Sequence, residues 1–343
     1  MYNRRSFPCL YAIMTHKTQQ SYTAILQWMN AKATELYPHD ERPIKWNKTL
    51  TDFETGLLPS LQAHNFGPHH VEITGCHFHH TQCIWRQVQR VGLAAVYRRT
   101  PAVKNFIRCL FAIAFLPVNQ VIIGYEEFKN SDHSIQLRNQ YPALENVCEY
   151  YENIWLHGNY NLEMWNVHGS NETRTTNNIE GYHHHANEYF GEHKNLWVFL
   201  AKLHKRQKEE EDWFQRVLEG HLKSVQEPRK RSYIAKEESI AQLKMDLANG
   251  DILNRVEFIQ RMAEFQGAAH NGGLFAEVGR RELCSRYFAR WWLVMNTSVI
   301  CLTHSGLDAA GSGGKDRGMA HTRTYFEIRR LVRVLRLTSE TGH

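Results

Sequence analysis

The chain reads as an α/β protein, and three features predict this. Short apolar and β-branched runs alternate with amphipathic stretches over the first hundred residues, a long apolar helical region follows, and charged helical patterns come after it. Residues 5–15, RSFPCLYAIMT, form a strand-like run, HKTQQ is turn-like, and SYTAILQWMNAKATEL carries apolar residues at helical spacing. Pro38 and Pro43 break the chain before IKWNKTLTD, a short strand ending at Thr51 and Asp52. Leu57, Leu58 and Leu61 favour a helix over 54–63, with Gly56 and Pro59 as irregularities. HHVEITG is the next strand, with Val71 and Ile73 on one face, and Cys76 and His79 follow it directly.

From Thr81 to Tyr97 the positions Ile84, Trp85, Val88, Val91 and Leu93 mark an amphipathic helix that carries Arg86 and Arg90. KNFIRCLFAIAFLP is apolar enough for a buried helix, and PALENVCEYYENIWL supplies a second with aromatics at helical spacing. Trp85 and Trp155 are read as core fillers rather than stacking platforms. After the polar stretch HGSNETRTTNN, Asn177 or Asn178 is placed to cap a helix containing Glu180. NLWVFLAKLHKRQKEEEDWFQRVLEGHLK and ESIAQLKMDL read as amphipathic helices, the KRQKEEE run forming a solvated face. The pattern breaks up after Ala263, and HTRTYFEIRRLVRVLRL at the end suggests a basic amphipathic helix. These readings divide the chain into an α/β region (1–98), a helical insertion (99–175), a further acidic helix (176–192), peripheral helices (193–262) and an unassigned tail with a basic terminal helix (263–343).

At 343 residues, with 42% hydrophobic and 22% charged side chains, the chain is neither a disordered polymer nor a small disulfide-stapled scaffold. Seven Cys at irregular spacing indicate free thiols in a reducing compartment. The apolar stretch near the amino terminus is too short and interrupted for a signal peptide, and no run is long enough to span a bilayer, so no membrane partner is expected. The formal net charge of +6 permits a polyanionic partner without requiring one.

Chemical content concentrates in a few places. Asp52 ends a strand and Glu180 lies near a helix start. Two such carboxylates brought together suit Mg or Mn, because hard cations take oxygen ligands and a two-ion site clamps attacking and leaving phosphate oxygens. Separately, they are an ordinary surface or cap pair. Cys76 and His79 make a Cys-x-x-His pair, and with His183 or a neighbour in the His183–His185 cluster they would offer zinc a thiolate and imidazoles. The alternative is a Cys and a His hydrogen-bonded at a strand end. Arg174 suits a phosphate contact, while Asn177 and Asn178 suit either a capping turn or the positioning of Glu180. Arg86 and Arg90 complete the candidate nucleic-acid residues.

The blocks TDFE, GCHFHHTQCIWRQVQRVGL, IRCLFAIAFLPVNQV and WNVHGSNETRTTNNIEGYHHH, in that order and spacing, resemble the carboxyl-terminal part of the catalytic domain of Mutator-like element transposases. The resemblance covers residues 5–215, with weaker similarity through LANGDILNRVEFIQRM. It implies an incomplete ribonuclease H-like α/β core with a large helical insertion and additional carboxyl-terminal helices. It also implies a DNA partner, nuclear or cytoplasmic residence, and an Asp, Asp, Glu set that cuts and joins DNA with Mg or Mn. By the resemblance Asp52 matches the second Asp and Glu180 the Glu, Cys76 and His79 match the family's Cys-x-x-His element, and Asn177 and Asn178 match the polar pair before the Glu.

One departure weighs on activity. The first Asp of the family precedes the segment resembling FPCLYAIM, and Asp40, in a Pro-flanked loop, fits neither its strand nor its order. The expectation is a transposon-derived protein that is catalytically defective. The alternative is a nonenzymatic nuclear DNA-binding or protein-interaction protein. The oligomeric state is not legible.

Overall fold

The computed structural model describes residues 10–14, 16–39, 48–64, 71–170, 188–190, 196–219, 231–252, 254–266, 292–293, 301–302 and 334–336. In chain order its elements are β1 (Tyr11–Met14), α1 (Gln19–Leu36), β2 (Lys48–Thr51), α2 (Leu57–Ala63), β3 (Glu72–Gly75), α3 (His77–Arg90), α4 (Ala94–Arg99), α5 (Pro101–Ala112), α6 (Val121–Lys129), α7 (Asp132–Gln140), α8 (Ala143–Tyr151), α9 (Leu162–Trp165), α10 (Leu196–Leu218), α11 (Arg231–Asn249), α12 (Arg255–Glu264), β4 (Trp292–Leu293), β5 (Cys301–Leu302) and β6 (Val334–Arg336). Helix dominates and the strands are short, within an α/β composition. No described helix is long and apolar enough to cross a membrane. The chain forms two compact units, one of residues 1–73, 176–228 and 288–343, the other of residues 74–175 and 229–287.

In the first unit β1 is the middle strand of three. It runs antiparallel to β4, with Ile13 opposite Leu293, and parallel to β6, with Ala12 opposite Leu335. Of the basic helix expected over 321–337, Val334–Arg336 is a strand instead, its backbone groups satisfied by β1 rather than within a helix, and the rest lies outside the described residues. A second sheet has the order β3-β2-β5, with β2 antiparallel to β5. Helix α1 starts where Thr18 Oγ1 accepts the Ser21 N–H at 3.2 Å. Its stripe of Tyr22, Ile25, Leu26, Met29 and Ala33, at helical spacing, joins Ala12, Met14, Leu57, Leu61 and Val71 in the core of this unit. The approach of α2 to the start of α1 is close. Ser60 Oγ donates to Gln19 O at 2.9 Å, and a Cβ on Gly56 would lie 2.5 Å from Lys17 O, so glycine is needed there for close approach rather than for its dihedral angle. Farther along, α10 buries Phe199 and Leu203, and Lys202 Nζ donates to the carbonyls of Tyr189 and Phe190 at 3.3 and 3.1 Å.

Among its described residues the second unit is helical apart from the end of β3. Its centre is α5, which starts with Thr100 and Pro101 and buries Val103, Phe106, Ile107, Leu110 and Phe111. Helix α12 packs on α5 and α6 through Phe258, Ile259 and Met262, all fully enclosed. Arg255, in its first turn, reaches Glu127 at 2.7 Å and Gln120 Oε1 at 3.2 Å. A π-helical turn, Glu152–Leu156, continues α8 and presents Trp155 inward. Lys244 of α11 donates to the carbonyls of His168 (2.6 Å) and Val167 (3.1 Å), pinning that helix to the turn after α9. Cys109 and Cys148 are free thiols, and burial pushes both up to about 12.

Candidate functional site

Asp52 follows β2 directly. Thr49, Leu50 and Thr51 are all buried, as befits a strand with neighbours on both edges, and Asp52 itself is only 6% exposed. The strand is tied to β3 by Lys48 Nζ on Glu72 Oε1 (2.7 Å) and by Thr49 Oγ1 on Glu72 O (3.4 Å). Of the two carboxylates in Thr51-Asp52-Phe53-Glu54, Glu54 is committed to structure: it accepts from the Tyr22 hydroxyl at 3.0 Å and pairs with Lys17 at 3.4 Å, holding α1 to the loop after β2. Asp52 is thus the carboxylate of this block that stands at the strand end itself.

Its expected partner Glu180 lies outside the described residues, as do Arg174, Asn177, Asn178, His183 and Asp40. The remaining candidates sit on α3, in the second unit. Cys76 is fully buried at the N-cap, and its carbonyl accepts the His80 N–H at 3.0 Å. His79 is in the first turn. Burial, and then the neighbouring Arg86 cation, hold its imidazole at about 4, so it is neutral at pH 7, the form that binds metals. Among the described residues no group of three or more His, Cys, Asp or Glu is arranged to hold a metal ion, so the Cys76–His79 pair carries two of the ligands a structural zinc would need. Arg86 and Arg90 are exposed, one helical turn apart.

Two features went unread in the sequence. The first is His80, completely buried and stacked on Trp165 with ring centroids 4.9 Å apart, with the edge of Trp155 at 4.5 Å and Tyr151 at 6.1 Å. Neither ring nitrogen has a hydrogen-bond partner among the described residues, and burial followed by the nearby His77 pushes the group well below the ordinary histidine value. Trp155 and Trp165 accordingly serve the core, as expected for Trp155, and Trp85 is buried against Tyr97 at 4.7 Å. The second is the set of cations beyond Arg86 and Arg90, namely Arg98, Arg99, Lys104 and Arg108. The signal was present: from Ile73 to Tyr125 there is no Asp or Glu.

Comparisons with family models, with curated proteins and with solved structures each find no match to this chain. The chemistry therefore rests on the residues themselves: a buried carboxylate at a strand end in one unit and an unbroken run of cationic helices in the other.

Proposed function

We propose that this chain is a transposon-derived DNA-binding protein resembling a Mutator-like transposase, in which Asp52 and Glu180 by themselves do not support strand cleavage. The observation that carries the reading is Asp52. It follows a buried middle strand, within the block TDFE that opens the family-like order of sequence blocks, while the adjacent Glu54 is engaged by Tyr22 and Lys17. In a ribonuclease H-like arrangement Asp52 and Glu180 would hold Mg or Mn, ions that polarise a phosphate and activate the attacking oxygen. Such a site uses three carboxylates, and Asp52 and Glu180 by themselves leave one ion poorly fixed. A DNA partner makes the nucleus its place of action. The second reading, a nonenzymatic nuclear protein that binds DNA or another protein, is favoured by the exposed Arg86 and Arg90.

Incubation of the full chain with supercoiled DNA and Mg or Mn tests the catalytic part. The expected result is salt-sensitive binding without cleavage, unchanged by Asp52→Ala or Glu180→Ala. Robust cutting that either substitution abolishes would overturn the defective reading, and absence of binding at low salt would overturn the DNA reading.

A further inference from the structure

Helix α11 has little apolar surface with which to hold to its unit. Among its described side chains Ile240 and Leu243 are the buried ones, whereas α5 buries seven of its twelve residues. Ile234 and Met245 of α11 are exposed. At its carboxyl end the helix turns through Gly250, at φ 81° with nothing near the position a Cβ would take. The Asp251 and Ile252 N–H groups return to Asp246 O at 2.8 and 3.2 Å, and Asn254 caps α12, its Oδ1 accepting the Val256 N–H at 2.8 Å. Phe258, Ile259 and Met262 lock α12 into the core, so the chain itself anchors one end of α11. The rest of the helix needs another hold.

Lys244 supplies one. Its Nζ donates to the carbonyls of His168 at 2.6 Å, Val167 at 3.1 Å and Ser170 at 3.5 Å, one acceptor for each N–H of an ammonium. The same nitrogen lies over the Phe115 ring, 5.8 Å from its centroid. The carbonyls belong to a turn that is itself fastened to residues 114–116. Val167 N–H donates to Ala114 O at 2.8 Å, His168 Nδ1 to Phe115 O at 2.8 Å, and Asn166 Nδ2 to Leu116 O at 2.8 Å. Within the turn Asn166 Oδ1 accepts the His168 N–H at 2.9 Å, and Ser170 N–H donates to Val167 O at 3.2 Å. These bonds fix the backbone whose oxygens face the cation, so the turn replaces part of the ammonium's water shell with little reorganisation. An apolar side chain in place of Lys244 would leave these carbonyls without that donor.

We propose that residues 166–170 and the Phe115 ring form a cradle for an ammonium cation, and that α11 is a strap, hinged at Gly250, which the charge of Lys244 holds shut. Loss of that charge frees α11 while α12 stays packed. In sequence the cradle leads into the segment of Arg174, Asn177, Asn178 and Glu180, so the clasp also fixes where that segment starts. The inference goes beyond the DNA reading and does not depend on it.

Hydrogen exchange of the full chain under native conditions tests the strap. Lys244→Met keeps an apolar stem and removes the cation. Amides of α11 are expected to exchange on the order of 10-fold faster or more, with those of α5 and α12 unchanged. Lys244→Arg keeps the charge and is expected to recover most of the protection, which separates charge from the loss of a side chain. Asn166→Ala, on the far side of the clasp, removes two of the bonds that set the cradle and is expected to loosen α11 as well. Combined with Lys244→Met it should add less than the sum of the two effects. Unchanged α11 exchange in Lys244→Met would leave the helix to Ile240 and Leu243 and overturn the strap, and equal loosening by Arg and Met would show that charge does not hold it. Loosening by Lys244→Met that Asn166→Ala neither reproduces nor couples to would place the ammonium's hold elsewhere and overturn the cradle. If α5 and α12 lose protection together with α11, the helix belongs to one cooperative body and the strap is wrong.

Discussion

The two units are built on different terms. The second encloses large rings completely: Trp155, Trp165, Tyr125, Tyr151, Phe111, Phe115 and Phe258 are all within 2% of full burial, on helices that are mostly neighbours in sequence. Among its described residues the first closes a mostly aliphatic core around strands of two to four residues, and β1 and β2 find partners at Trp292–Leu293, Cys301–Leu302 and Val334–Arg336, hundreds of residues away. One unit is thus specified by local helical pattern and dense packing, the other by pairing that only the folded chain brings about. The candidate functions follow the same division, with the carboxylate at a strand end and the cations on the packed helices.

Removing a ring from the enclosed core tests this contrast most severely. Trp165 is fully buried, stacks on His80 and donates its Nε1–H to Trp155 O at 3.0 Å. Trp165→Ala is expected to cost about 3–5 kcal/mol, since the rings around the void cannot collapse far. Hydrogen exchange under native conditions localises the loss. Amides of α5 and α12 should become much less protected while those of α1 hold. Equal loss in α1 would mean that the chain opens as one cooperative body and that the two cores are not separate.

The same contrast explains what the sequence made legible. SYTAILQWMNAKATEL was expected to be helical and forms most of α1, because its apolar stripe recurs at helical spacing and Thr18 caps its start. The helix expected over 81–97 is instead two, α3 and α4, broken at Gly92; the apolar period runs on through the break, and only the glycine marks it. The strand partners were not legible. A three-residue strand such as Val334–Arg336 has no period of its own, and LVRVLRL fits a helix as well as an edge beside β1. Asp52 was placed at a strand end and is found there, because TLT is β-branched at both ends and followed by a turn. The cationic stretch is masked in the composition for a simpler reason: +6 over 343 residues is modest, and only division of the charge by segment shows that residues 73–125 hold an excess of that size.

Acid gives a second way to separate the units, with a smaller effect. His80 is held well below the ordinary histidine value by burial and by His77, and His79 at about 4 by burial and by Arg86. A folded value below the unfolded value of about 6.5 means that the unfolded chain binds more protons, so this stability is complete above pH 6.5 and is lost as the pH falls below it. Each histidine contributes a slope of up to about 1.4 kcal/mol per pH unit, His79 down to about pH 4. His80→Phe keeps a flat ring against Trp165 and removes two unsatisfied nitrogens, so stability at pH 7 should be unchanged or raised. The acid slope in urea denaturation should fall to about half. An undiminished slope between pH 6.5 and pH 5 would assign it to carboxylates instead and would remove His80 from the account.

The smallest effects come from two glycines, one in each unit, required for different physical reasons. Gly56 has an ordinary φ of −87°, but a Cβ there would meet the Lys17 carbonyl oxygen at 2.5 Å, and backbone on both sides must move to admit it. Gly92 has open space around it and a φ of 80°, so a side chain there meets no atom but must adopt the left-handed conformation. Gly56→Ala is expected to cost about 1–3 kcal/mol as overpacking and Gly92→Ala about 1 kcal/mol as backbone strain. Asparagine distinguishes them, because it tolerates the left-handed region better than alanine and is bulkier. At position 92 Asn should recover part of the loss in thermal melting, and at position 56 it should recover none. If Asn and Ala are equally harmful at 92, the junction of α3 with α4 is held by packing rather than by its dihedral angle, and the packed unit would share the constraint that shapes the strand-bearing one.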